Sequence, residues 1–256
     1  MSSAVIPTAV AGPAPRRVRR VGLGRLATPA VVVTALLGLY LWVHSAPLDS
    51  IEQRTLNTGY IASAVREHLW LTLVSTVFVL VIALSSGIVL TRGPMRWLAP
   101  LATGVANIGQ ATPAIGLLVL LSVWRGIGFS TAVIALVAYS VLPVLRNTIV
   151  GIRQVDAPIV DAARGIGMSP LAVLLRIEIP LALPVILAGV RTALVLNVGV
   201  GTLATFVNAG GLGDMIVNGI KLQRMPVLIT GAVLVASLAL LVDWLGAVVE
   251  DLNRPR

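Results

Sequence analysis

The sequence predicts an all-α integral membrane protein with about six transmembrane helices, and three observations carry that reading. The 256 residues are 57% hydrophobic and only 11% charged, where soluble domains carry about 25% charged residues. The mean hydropathy is +0.97. Six stretches approach the ~20 apolar residues that cross about 30 Å of hydrocarbon: Leu26–Val43, Leu69–Leu90, Leu98–Val123, Phe129–Val150, Leu181–Val207 and Val227–Val249. Such a composition excludes an ordinary soluble enzyme, and the apolar content excludes a disordered chain. With no cysteine there is no disulfide, thiolate zinc cluster or cysteine nucleophile. The net charge of +9 accompanies long apolar runs. An anionic membrane surface, rather than nucleic acid, is therefore the expected partner.

The first run follows Arg16, Arg17, Arg19 and Arg20, as a signal peptide would. It is longer than the ~7–15 residues of a signal core and starts late. It therefore reads as a retained anchor helix over 26–45 behind a basic cytoplasmic tail, 1–25. The second and sixth runs are uniformly apolar. The third and fifth carry polar and helix-breaking residues. Arginine placement sets the direction. With both termini cytoplasmic, the inner segments hold Arg92, Arg96, Arg146, Arg153, Arg164 and Arg176 as well as the two basic tails. The outer segments hold only Arg54, Arg66, Arg125, Lys221 and Arg224. Trp42, Trp70, Trp97, Trp124 and Trp244 all fall near span ends, where amphipathic rings sit at headgroup level.

Several chemistries lack their parts. A P-loop needs a lysine after its glycines, and the sole lysine, Lys221, lies in Gly219-Ile220-Lys221-Leu222. His44 and His68 are isolated and flank an outer loop, so they read as solvated interface residues and not as zinc ligands or an intramembrane base. Asp243 is the one acid expected inside a span, whereas proton relays use several. Arg191, also within a span, is expected either to snorkel inward or to lie in a polar interface.

The longest inner interruption runs from Arg153 to Pro184. Asp156 and Pro158 are start signals for a short helix, which carries Asp161, Ala162, Ala163 and Arg164 and stops at Gly165 and Gly167. Ser169-Pro170 starts a second helix, Leu171–Glu178, expected to end before Pro180. Ala162, Ala163 and Gly167 would present a small-residue face to another protein, with Asp161 and Arg164 at its edge. By composition alone an ordinary loop is an equal reading.

Asp161-Ala162-Ala163 is followed after three residues by Gly167, after nine more by Ile177, and then by Ile179-Pro180. This resembles the EAA loop of ABC-importer permeases, with Asp161 for Glu, Ile179 for Leu and every spacing kept. The run Ile179–Thr192, the stretch Asn107–Pro113, the stretch Tyr139–Thr148 and the turn Ala209–Gly213 are similar to segments of osmoprotectant permeases. The glycine turn is shared with methionine and other amino-acid permeases. The resemblance covers about 65–250. It implies a type I (MetI-like) permease domain there, with a coupling loop at 153–180 and a short cytoplasmic tail, 251–256. It also implies that Asp161, Ala162, Ala163, Arg164, Gly167, Ile177 and Pro180 dock on an ATPase subunit. That subunit would bind ATP and Mg, and this chain would hold no cofactor. A second permease subunit, identical or related, and an extracytoplasmic substrate-binding protein complete the implied assembly, in the bacterial cytoplasmic membrane.

A polar side chain in hydrocarbon is costly and usually faces the bundle or a water-filled cavity. Asn107, Gln110 and Thr112 beside Pro113, and Asn197, Thr202, Thr205 and Asn208 in the fifth span, with Tyr139 in the fourth, are the candidates for a solute pathway. Each alone reads equally as a bond between helices or to its own backbone. Asp214, past the glycine turn, would attract a cation or simply be solvated. Quaternary cations favour aromatic cages, and only Tyr60, Tyr139 and Phe206 remain for one. A low-affinity passage is expected. A stand-alone carrier, which would need intramembrane acids, and a membrane enzyme, which would need a catalytic constellation, are the competing classes.

Overall fold

The computed structural model describes residues 24–253. The tail arginines Arg16, Arg17, Arg19, Arg20, Arg254 and Arg256 lie outside the described residues. The described chain is helical: α1 (Gly24–Ser45), α2 (Ser50–Thr55), α3 (Thr58–Val89), α4 (Ala99–Ala111), α5 (Ala114–Arg125), α6 (Phe129–Arg153), α7 (Ala157–Gly165), α8 (Pro170–Val173), α9 (Ile179–Gly201), α10 (Leu212–Lys221) and α11 (Met225–Leu252). Five helical stretches are long and apolar enough to cross a membrane, and α4 with α5 makes a sixth as one bent pair. Five of the six expected spans are unbroken. The third folds by 97° where α4 meets α5. Thr112 there is extended and Pro113 caps α5, because Pro113 can neither donate to the ladder nor let Thr112 stay helical.

Helix α6 is central, packed between α3 and α9, with α4 and α5 against its other side. Helix α11 packs on α9 and α10, and α1 packs on α11 at the periphery. The C-terminal end of α3, the loop with α7 and α8, and the end of α11 share one end of the bundle, the loop end. The opposite end carries α2, the start of α6 and the turn before α10. There the Gly128 amide donates to the Val207 carbonyl at 2.6 Å.

Lipid tails are as apolar as leucine, so helix association rests on close packing and hydrogen bonds rather than on excluding water. The sequence follows that rule. The buried stripe of α3 includes Ala64, His68, Thr72, Ser75, Thr76, Val79, Ala83 and Gly87 at three- and four-residue steps. Val79, Ala83, Val144, Ile149 and Ala193 form one core between α3, α6 and α9. A second, nearer the turn end, holds Leu71, Leu118, Leu136, Ala204 and Val207.

One glycine sets the α6–α9 distance. A Cβ on Gly189 would lie 2.7 Å from the Pro143 carbonyl oxygen and 2.8 Å from Asn147 Cβ. Asn147 in turn donates to the Val185 carbonyl at 3.0 Å. Gly189→Ala is therefore expected to destabilise the bundle by about 1–3 kcal/mol through overpacking. Thermal unfolding of the detergent-solubilised protein measures it. Gly38→Ala, with open space around the glycine, is the matched control and should change little.

Candidate functional site

At the loop end, α7 begins after Asp156 with Pro158 in its first turn, as the sequence predicts, although the Asp156 side chain makes no cap hydrogen bond. Asp161, Ala162, Arg164 and Gly167 are exposed. Ala163 is only 6% exposed. The expected small-residue face therefore loses one member, since helical rotation turns Ala163 inward while Ala162 faces out. Gly167 has a φ of +88°, a left-handed turn that favours glycine. Ser169 caps α8, its hydroxyl oxygen accepting from the Ala172 amide at 3.3 Å.

Pro180 does not end the second helix, contrary to expectation. The chain runs on from α8 through a π-turn, Leu174–Glu178, directly into α9. The Ile179 amide reaches back five residues to the Leu174 carbonyl, shifting the ladder just ahead of Pro180, which lies in the first turn of α9 and needs no donor there. Ile177 is half-buried and Pro180 exposed. Helix α8, the π-turn and α9 thus form one apolar helical rod, with Thr202–Val207 continuing it in 3₁₀ form.

Glu178 closes the π-turn. It is 5% exposed and takes both guanidinium nitrogens of Arg92, Nη1 at 3.1 Å from Oε1 and Nη2 on Oε2. Arg92 follows α3, so this two-pronged pair locks the start of α9 to the end of α3. Bidentate geometry gives such a pair direction as well as strength. Neither residue stands out in the sequence; an acid directly before Ile179-Pro180 was the available signal.

The candidate pathway residues separate into two groups. On α4, Thr103, Asn107 and Gln110 share one face at helical spacing, Leu101 and Val105 are exposed on another, and Ala106 between them is buried. Asn107 is exposed and Gln110 half-buried, and neither side chain makes a hydrogen bond among the described residues. Thr112 donates to its own Ile108 carbonyl at 2.7 Å. Asn197 follows the second of its two readings, a bond between helices. It is fully buried, its Oδ1 accepting from Ser140 at 2.8 Å and its Nδ2 donating to Thr76 at 2.9 Å. It ties α3, α6 and α9 and faces no passage. Thr202 donates to the Gly199 carbonyl. Thr205 donates to Asp214, so that acid, in the first turn of α10, ties this helix to the 3₁₀ segment and is not merely solvated. Asn208 adopts a left-handed conformation and is exposed. Tyr139 is half-buried on α6.

His68 also departs from expectation. It is fully buried, with Nε2 3.0 Å from the Val198 carbonyl. It fills the space that Gly201 and Gly211 leave open, since a Cβ on Gly211 would lie 3.1 Å from its Nδ1. A histidine thus does lie in the bundle. The neighbouring Glu67 accepts from the Gly211 amide at 3.1 Å, and Gly211 has a φ of +97°. The turn before α10 is therefore held against α3 by two adjacent side chains. Among the described residues no group of three possible metal ligands converges.

Arg191 resolves as a polar interface. Its Nε donates to Asp243 Oδ1 at 2.6 Å and its Nη2 to Oδ2 at 2.7 Å, with Glu250 3.8 Å from Nη1. The two ionisable residues expected within spans thus pair with each other across α9 and α11, beside a cavity of about 370 Å³.

Comparison with known proteins follows the same lines. The family described as binding-protein-dependent transport system inner membrane component matches residues 83–254. The choline transport system permease protein OpuBB of Bacillus subtilis is 40% identical over 194 residues, 76% of this chain and 88% of that protein. The glycine betaine/carnitine/choline transport system permease protein OpuCB of Bacillus subtilis is 38% identical, over 78% of this chain and 91% of that protein. The osmoprotectant import permease protein OsmW of Salmonella typhimurium is 38% identical, over 77% and 94%. Among solved structures, an inward-facing form of the MetNI methionine ABC transporter superposes with a TM-score of 0.66 at 25% identity, covering 76% of this chain and 96% of that one.

The Arg191–Asp243 pair makes a quantitative prediction. Arg191→Gln and Asp243→Asn should each destabilise the protein, and the double variant should lose less than the two losses added. A coupling energy on the order of 1–3 kcal/mol is expected for a charge-assisted pair. Unfolding of the four proteins of this cycle in one detergent measures it.

Proposed function

The chain belongs to the family of inner-membrane components of binding-protein-dependent transport systems, and from that premise we propose that it is the permease subunit of an ATP-driven importer of osmoprotectants such as choline, glycine betaine or carnitine. The observation that carries the reading is the continuous rod that begins at Pro170, just past the exposed Asp161–Gly167 elbow, and runs through the π-turn into α9. Relatives at 38–40% identity bear names of choline, glycine betaine/carnitine/choline and osmoprotectant permeases. A second reading, a methionine-type amino-acid permease, draws on the likeness to the methionine transporter.

In this mechanism separate ATPase subunits bind ATP and Mg, because this chain has no P-loop lysine. They dock on Asp161, Ala162, Arg164 and Gly167 at the cytoplasmic side, where arginine placement puts both termini. Closure of the ATPases moves the elbow, and the Arg92–Glu178 clamp passes that motion to α3 and α9 together. The solute travels past Asn107 and Gln110, whose unpartnered amides face water or a second permease subunit. A single bent span and four straight ones around α6 leave that face of α4 uncovered, so two permease subunits enclose the path. The small number of aromatic side chains suits a low-affinity passage fed by an external binding protein.

Ala162 and Ala163 separate docking from folding. Ala162→Trp adds bulk to the exposed face and is expected to abolish ATPase association and uptake while the purified permease keeps its melting temperature. Ala163→Trp adds the same bulk to a buried site and should lower the melting temperature itself. Unchanged ATP-driven uptake by the Ala162→Trp complex in proteoliposomes overturns the docking assignment. Competition of uptake by choline, betaine, carnitine and methionine in the same vesicles decides between the two substrate classes.

A further inference from the structure

We propose that the apolar groove between α3, α4 and α6 is a binding site for one anionic phospholipid, whose acyl chain lies beneath α4 and whose headgroup rests on Arg96. The groove has a volume of about 790 Å³ and is walled by residues such as Leu90, Leu98, Ala102, Ala106 and Val141. Its one polar wall residue, Ser86, donates its hydroxyl to the Ile82 carbonyl of its own helix. A polar solute therefore finds no partner here, and an alkyl chain needs none.

The dimensions suit a single leaflet. The groove starts at the 3₁₀ segment Gly93–Leu98 and follows α4 to Gly109. From Leu98 to Gly109 a helix rises about 16 Å, half of the ~30 Å hydrocarbon core. The deep end is shut where α4 touches α6, since a Cβ on Gly109 would lie 2.6 Å from the Ala138 carbonyl oxygen.

Charge at the mouth selects the occupant. Arg92 is neutralised by Glu178. Arg96 is exposed and makes no ion pair among the described residues, and beside it Trp97 is 73% exposed. A cation and an indole at headgroup level, above an apolar slot one leaflet deep, match a phosphate-headed lipid. A second copy of this surface offers no acidic wall residue to Arg96, since the groove lining is apolar apart from Ser86, whereas a lipid phosphate supplies the opposite charge. Nor does the groove carry the candidate solute residues, since neither Asn107 nor Gln110 is among the residues that wall it.

The test uses the full-length protein in vesicles of phosphatidylglycerol and phosphatidylethanolamine, released into native mass spectrometry. The wild type is expected to retain one phosphatidylglycerol per chain in preference to phosphatidylethanolamine. Arg96→Glu should reduce that preference at least about fivefold, the weight of the one basic residue lost, with repulsion by the new carboxylate adding to it. Ala102→Phe fills the slot and should remove retained lipid of either kind. Unaltered preference in the Arg96→Glu protein overturns the proposal, and because that residue is on the surface the result does not depend on the fate of the Phe variant. The absence of cysteine allows a second measurement with Leu101→Cys on the rim. Quenching of a fluorophore there by lipids brominated on the acyl chain supports the site. Oxidation of that variant to a disulfide-linked dimer in the membrane marks the face as an interface between copies and refutes it.

Discussion

The clamp between Glu178 and Arg92 is the contact on which the rest of the arrangement depends. It sits where the surface elbow becomes a membrane span, and it joins that point to the end of α3. A carboxylate with 5% exposure is tolerable only if it is paired, because an ion left alone in an apolar setting costs several kcal/mol. The pairing therefore fixes the π-turn, and the π-turn fixes the direction in which the elbow leaves the bundle. Without it, α7 and α8 would lose the bond that ties their exit from the bundle to the end of α3.

Away from that junction the bundle obeys the demand that polar groups in hydrocarbon find internal partners. Asn197 bridges Thr76 and Ser140, Arg191 is held by Asp243, Asn147 reaches the Val185 carbonyl, and Glu67 takes the Gly211 amide. Each of these bonds crosses from one helix to another or to the turn before α10. Small residues allow the backbones to come close enough for them, as Gly189 does between α6 and α9. The demand is not met everywhere: His68 Nδ1, Thr72 Oγ1 and Ser75 Oγ on α3 are buried without a hydrogen-bond partner. On α4 the side-chain amides of Asn107 and Gln110 have no partner among the described residues, while other residues of that helix wall an apolar slot.

Much of this was legible in the sequence. Hydropathy located the spans because length and apolar content are summed over many residues and tolerate local exceptions. Pro113 announced the break in the third span, and Asp156, Pro158, Gly167 and Ser169 marked the elbow by ordinary cap and turn chemistry. What escaped depended on rotation about a helix axis or on partners distant in sequence. Nothing near Ala163 says that it turns inward while Ala162 turns out. Pro180 reads as a stop in a regular α-ladder, and the π-turn at Leu174–Glu178 that admits it has no signature in composition. His68 looked like an interface residue because its complement, Gly201 and Gly211, lies more than a hundred positions away. Asn197 was indistinguishable from its pathway candidates until Thr76 and Ser140 were seen beside it.

The most direct measurement of that clamp is the ratio of solute imported to ATP hydrolysed by the assembled transporter in proteoliposomes, comparing the wild type with Glu178→Gln. Glutamine keeps the shape and loses the charge. The account predicts that ATPase subunits still bind and hydrolyse ATP while the imported solute per ATP falls by about tenfold or more, as expected when a charge-assisted pair of roughly 1.5–3 kcal/mol is lost from the transmitting element. An unchanged ratio in a stably folded Glu178→Gln complex contradicts it.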